Sequence, residues 1–148
     1  MAEDIRQSVT FNAKPAVIYR ALVDAKQHAA FTGSPATSDP RQGGAFTAWG
    51  GYIVGYHAEL VKGARIVQAW RASDWPAGAW SIARFELKPA GTGQTRLTFT
   101  QSGVPAANLK SITEGWKVHY WTPLAAWLER KNRRAQAASS TKKKPKKK

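Results

Sequence analysis

The side chains able to do chemistry are few and scattered. The chain has three histidines, His28, His57 and His119, with nine Asp and Glu and no cysteine. Without Cys there is no thiolate nucleophile, no disulfide and no cysteine-based metal centre. A zinc site needs three or four ligands that converge. The three histidines fall on three different predicted elements, and no two have the helical spacing of a ligand pair. His57 and Glu59 share a strand face by period two, which reads as an exposed polar face. His119 borders an apolar helical stripe and reads as a core-edge histidine, with a hydrogen bond into a cavity as the alternative. Acid–base catalysis needs groups held together in a pocket, but the acids are spread along the chain, and Arg84 with Glu86 reads as a surface pair. Gly43-Gly44 and Gly50-Gly51 are turn signals without the spacing of a phosphate-cradling loop. Ser102-Gly103-Val104-Pro105 lacks the flanking glycines of a nucleophile elbow. These residues predict a protein that is not an enzyme and carries no metal or cofactor.

The elements that would position any site follow from periodicity. Ile5, Gln7, Val9 and Phe11 alternate with Arg6, Ser8 and Thr10, a first strand with one buried face. Pro15 suits the first turn of a helix, and Val17, Ile18, Ala21 and Leu22 recur at helical spacing. A second short helix over Asp24–Phe31 is ended by Thr32-Gly33-Ser34-Pro35, and residues 32–44 read as loop. Strands are predicted over Ala45–Trp49, Tyr52–Val61, Arg65–Ala72, Ala79–Lys88 and Gln94–Gln101, joined by short turns and so antiparallel. Gly55 predicts a bulge or bend in the second of these. A long helix spans Ala106–Arg134, with Leu109, Ile112, Trp116, Tyr120, Pro123 and Trp127 on one stripe widened by Trp121, Leu124 and Leu128. Pro123 predicts a kink or loosened turn, because it lacks a backbone donor. One sheet gripping one apolar helix is an α+β architecture.

A curved sheet wrapped on a single helix can leave a concave, mostly apolar gap, the usual form of a small-molecule site. The predicted wall is Trp49, Tyr56, Trp70, Phe85, Phe99, Trp116, His119 and Tyr120, with plain core packing as the alternative for each ring. A hydrophobic small molecule is the expected partner.

The net charge of +14 is unevenly spread. Residues 1–129 hold 13 Lys and Arg against all 9 acids, whereas residues 130–148 hold 10 Lys and Arg and no acid. The expected division is a folded domain over 1–134 and a disordered basic tail over 135–148, with 135–141 as a flexible linker. Lys142, Lys143, Lys144, Lys146, Lys147 and Lys148 would attract nucleic acid or other polyanions without specificity, or simply aid solubility. No secretory start and no apolar run of membrane-spanning length is visible, which predicts a cytoplasmic protein. A monomer is expected.

The ordered set of short segments adds a family. These are Arg41-Gln-Gly-Gly-Ala-Phe46, Gly51-Tyr-Ile-Val-Gly55, Glu59-Leu-Val61, Arg65-Ile-Val-Gln-Ala-Trp-Arg71 and Trp75-Pro76. Thr95-Arg-Leu97, Gln101-Ser-Gly-Val-Pro105, Gly115-Trp116 and Tyr120-Trp121 complete it. In this order they resemble the C-terminal domain of the activator of heat-shock protein 90 ATPase homologue family, of START-like, helix-grip type. The resemblance implies a curved antiparallel sheet around a long C-terminal helix. It also implies a co-chaperone that touches a heat-shock protein 90 homologue and stimulates its ATPase. Eukaryotic members carry a separate N-terminal domain for much of that contact, and the resemblance here is to the C-terminal domain alone.

Overall fold

The computed structural model describes residues 4–143, with side chains to Gln136. Strand β1 (Ile5–Phe11) leads into α1 (Pro15–Val23) and α2 (Ala25–Thr32). Pro15 stands in the first turn of α1, where its missing donor costs nothing. The Asp24 carboxylate accepts from the Gln27 backbone N–H at 3.0 Å and caps α2. Gly33 stops that helix in the left-handed conformation (φ 77°).

Six strands follow: β2 (Thr37–Ser38), β3 (Ala45–Ala48), β4 (Ile53–Val61), β5 (Arg65–Ala72), β6 (Ser81–Pro89) and β7 (Thr95–Ser102). They form one antiparallel sheet with β1, in the order β1-β7-β6-β5-β4-β3-β2. The pairing of β1 with β7 brings both ends of the sheet sequence together, with Gln7 opposite Phe99 and Val9 opposite Leu97. β2 lies inside the stretch expected to be loop.

Phasing on β4 departs from expectation. Ile53, Gly55 and His57 point inward, and Val54, Tyr56 and Ala58 point outward. His57 is therefore buried, at 1% exposure, and not on an exposed polar face with Glu59. The reason is a register shift between His57 and Glu59, which breaks the alternation that would have paired them. The expected bulge thus lies past Gly55. Gly55 itself is required because a Cβ there would strike the Ala69 carbonyl and lie 2.7 Å from the Phe46 ring.

The C-terminal helical segment is not one regular helix. A short 3₁₀ turn (Ala106–Asn108) precedes α3 (Leu109–Trp116), a π-turn occupies Lys117–Trp121, and α4 runs Thr122–Lys143. The loosened turn expected from Pro123 is this π-turn, closed by the Thr122 N–H bonding back to the Lys117 carbonyl. The extra residue lets Trp116 and Trp121 share the core face with nearly parallel rings, 5.5 Å apart at 22°, and Tyr120 beside them. α4 continues past Arg134 through the segment expected as a linker, because Ala135-Gln136-Ala137-Ala138 are good helix formers with no breaker before Pro145. Lys142 and Lys143 end that helix, and Lys144, Lys146, Lys147 and Lys148 lie outside the described residues.

The core fills the space between the inner sheet face and the helices. Phe85 and Phe99 from the sheet meet Trp116 and Trp121 from the helix, with Phe99 and Trp116 ring centres 4.3 Å apart. Burial of each such ring contributes about 2–3 kcal/mol. This fixes the helix across the sheet and so positions the site.

Candidate functional site

Three elements converge at one end of the grip. The turn between β3 and β4 bends through left-handed backbone at Trp49 (φ 57°), Gly50 (φ 66°) and Gly51 (φ 97°). The two glycines accept this freely, whereas a bulky residue there costs on the order of 1–3 kcal/mol. Packing offsets it: the Trp49 ring meets His119 edge-on at 5.2 Å and Tyr120 at 6.2 Å. The Gly50 N–H also bonds the Pro35 carbonyl at 3.0 Å. This turn thereby throws an indole over the end of the sheet and onto the helix.

Between that turn and the helix lies an open cleft of about 570 Å³. Trp49, Tyr52 and Ile53 form one wall and Trp70 of β5 the floor. The opposite wall comes from α3 and the π-turn: Ile112, Gly115, Trp116, Val118, His119 and Tyr120, with Ser111 and Glu114 as polar members. Val118 is 59% exposed and Tyr52 43%, so the apolar lining continues to the mouth. The Tyr52 hydroxyl donates to the Asp74 carboxylate at 3.0 Å, and burial first, then Asp74, raises its pKa.

Behind the floor lies a second, enclosed pocket of about 20 Å³, large enough for one water. Its lining mixes polar side chains, among them His28, Ser38, His57 and Gln68, with apolar ones, and Trp70, Trp116 and Tyr120 line both spaces. His28 Nε2 and the Tyr120 hydroxyl are 3.0 Å apart, and His57 Nε2 and the Ser38 hydroxyl 2.9 Å. The Nδ1 atoms of both histidines are buried without a protein partner. Burial pushes the His28 pKa down to about 4 and lowers that of His57, the latter opposed by Asp39. Burial likewise raises Tyr120 far above the ordinary phenol range. Alongside it, Trp116 Nε1 donates to Gln101 Oε1 at 2.8 Å, and Gln101 Nε2 donates to Ser81, which donates to the Trp70 carbonyl. These bonds fix the Trp116 indole and the Trp70 backbone, the two tryptophans that separate the spaces.

Of the eight predicted wall residues, Trp49, Trp70, Trp116, His119 and Tyr120 come together around the cleft. His119 is exposed at its mouth and not tucked at the core edge. Phe85 reaches only the enclosed pocket, and Phe99 is fully buried core. Tyr56 is a correction: it is 51% exposed on the outer face of the sheet, because the inward phase of β4 belongs to Gly55 and His57. Sequence reasoning missed Tyr52, Ile53, Val118 and Gly115 as lining residues, although the segments Gly51-Tyr-Ile-Val-Gly55 and Gly115-Trp116 both carried a family signal. Among the described residues no three His, Asp or Glu converge as a metal site, and no helix is long and apolar enough to cross a membrane.

Residues 12–129 match the family model described as activator of Hsp90 ATPase homolog 1-like protein. An activator of 90 kDa heat shock protein ATPase homolog from Dictyostelium discoideum is 33% identical over 72% of this chain and 28% of that relative. The human homolog 1 of the same name is 30% identical over 76% of this chain and 33% of its own length. The chain therefore spans only a minority of the length of the curated relatives it matches. A crystal structure of an HSP90 activator from Plasmodium falciparum superposes with a TM-score of 0.81 at 25% identity, covering 85% of this chain and 96% of that one.

Proposed function

The chain belongs to the activator of Hsp90 ATPase homologue family, and from that premise we propose that it is a cytoplasmic binding domain, not an enzyme, that takes an apolar small molecule into the cleft between the β3–β4 turn and the C-terminal helix. The observation that carries this reading is the cleft itself. Its volume of about 570 Å³ is in the range of drug-sized ligand sites, and its walls are mostly aromatic and aliphatic. The Trp116 ring and the Trp70 backbone are already held by hydrogen bonds, so a ligand would enter a largely formed site. Titrating the protein with an environment-sensitive apolar dye tests this. Saturable binding with a raised melting temperature is expected, and a dye signal that appears only on unfolding would contradict it.

A second reading is favoured by the relatives, which are named as activators of the 90 kDa heat-shock protein ATPase. In this reading the domain contacts a chaperone of that class through its outer sheet face or helix end. Tyr56, Trp80 and Ile82 are exposed on or at the edge of that face, with the Tyr56 and Trp80 rings 6.2 Å apart. The ATPase rate of the cognate chaperone, measured at moderate salt with the whole chain and with a chain ending at Gln136, tests it. Stimulation by both forms supports the reading. Stimulation that vanishes with the tail assigns the effect to charge attraction by its lysines.

A further inference from the structure

The polarity of the cleft is at odds with the rest of the chain. The sequence holds 23 Lys and Arg against 9 Asp and Glu, yet no Lys or Arg lines the cleft and one carboxylate, Glu114, does. Lys110 and Lys117 belong to the same helical segment but are absent from the lining. Beside the imidazole of His119, the other lining groups that act on charge are aromatic rings. Trp49, Tyr52, Trp70, Trp116 and Tyr120 converge there, and the face of an aromatic ring attracts a cation. Trp70 and Trp116 are 5.6 Å apart and Trp116 and Tyr120 4.5 Å, so three of these rings form one continuous wall. The Tyr52 hydroxyl donates to Asp74, which places a second carboxylate behind the rim and enriches the electron density of that ring.

From this we infer that the cleft selects organic ammonium cations: small molecules with an apolar body and a tertiary or quaternary nitrogen. The inference rests on the ligand-binding reading above and narrows it. A ligand headed by carboxylate or phosphate would find no Lys or Arg in the lining and would face Glu114. An ammonium group finds ring faces and a carboxylate, and a quaternary nitrogen leaves no N–H unpaired when it is desolvated. Glu114 stands at the exposed end of the cleft, where its attraction is screened by water. The rings therefore supply the larger share of the selectivity.

The test compares three probes of similar size in mildly alkaline buffer, where imidazole side chains are neutral. They are benzyltrimethylammonium, its carbon analogue neopentylbenzene, and phenylbutyrate. Binding is read by calorimetry on the whole chain and on Glu114→Gln and Tyr52→Leu. The expected order is ammonium first, about ten-fold tighter than the neutral analogue, with the anion weakest. Glu114→Gln is expected to weaken the ammonium about three-fold and leave the neutral probe unchanged. Tyr52→Leu is expected to narrow the gap between ammonium and neutral probes. Equal affinities for ammonium and neutral probes, or preference for the anion, would overturn the inference and leave the apolar-cleft reading standing. Binding of none of the three would remove both.

Discussion

Two spaces on either side of the same three rings make the informative contrast. In front of Trp70, Trp116 and Tyr120 lies an open cleft of about 570 Å³ with aromatic and aliphatic walls. Behind them lies a closed pocket of about 20 Å³ with two buried histidines, Ser38 and Gln68. The closed side holds two histidines that burial favours in the neutral form, bonded to the Tyr120 and Ser38 hydroxyls, and it backs the shared wall. The open side has shape but few polar demands, so it is where a ligand can be accommodated without leaving groups unsatisfied. The lesson is that polar burial in this fold marks support and apolar exposure marks the site.

Removing the shared wall should damage both spaces most. Trp116→Ala deletes a ring 2% exposed that packs on Phe99, Trp121 and Tyr120. A loss of about 3–5 kcal/mol is expected in urea denaturation, together with loss of dye binding. An unaffected midpoint would show that the wall is not structural.

Acid should separate the two spaces next. His28 is held neutral with a folded pKa of about 4, below the ordinary value of 6.5. As pH falls from that ordinary value the unfolded chain takes up a proton and the folded chain does not, so stability declines down to the folded pKa and is constant in this term below it. The loss is on the order of 3 kcal/mol across that window. His57 acts in the same direction. Urea midpoints of the parent and of His28→Gln, measured across the window, check this, and the variant should show the shallower decline.

A smaller effect should break the contrast the other way. Gly115 lines the cleft, and a Cβ on it would meet only His119 Cδ2, at 3.8 Å. Gly115→Leu should obstruct the cleft while leaving the closed pocket intact, and raise stability by about 0.5–1 kcal/mol through helix propensity. The smallest effect belongs outside both spaces. Tyr56→Ser on the outer sheet face should change stability by no more than about 1 kcal/mol and leave dye binding unaltered.

Sequence patterning located the elements well because their apolar residues dominate. The period-two runs of β5, β6 and β7 and the aromatic stripe of the helix have one plainly apolar face. β4 is the exception, since its inward set, Ile53, Gly55 and His57, is less apolar than its outward set, Val54, Tyr56 and Ala58. Its phase is decided by the Phe46 ring over Gly55 and by the Ser38–His57 bond, neither of which is local in sequence. That single inversion misplaced both Tyr56 and His57. Trp116 and Tyr120 were found because they lie on the stripe, whereas Gly115 and Val118 lie off it and were missed. Trp49 was found as an aromatic, but its left-handed backbone came only from the three-dimensional turn. The pairing of His28 with Tyr120 joins residues 92 positions apart, and no pattern in either segment announces it.

The most direct test of the account is apolar-dye binding by the parent and Gly115→Leu, with melting temperature recorded for both. Weakened binding in a variant at least as stable as the parent is the predicted result, because only the cleft has been obstructed. Undiminished binding in a folded Gly115→Leu protein would contradict the account and place the dye elsewhere on the molecule.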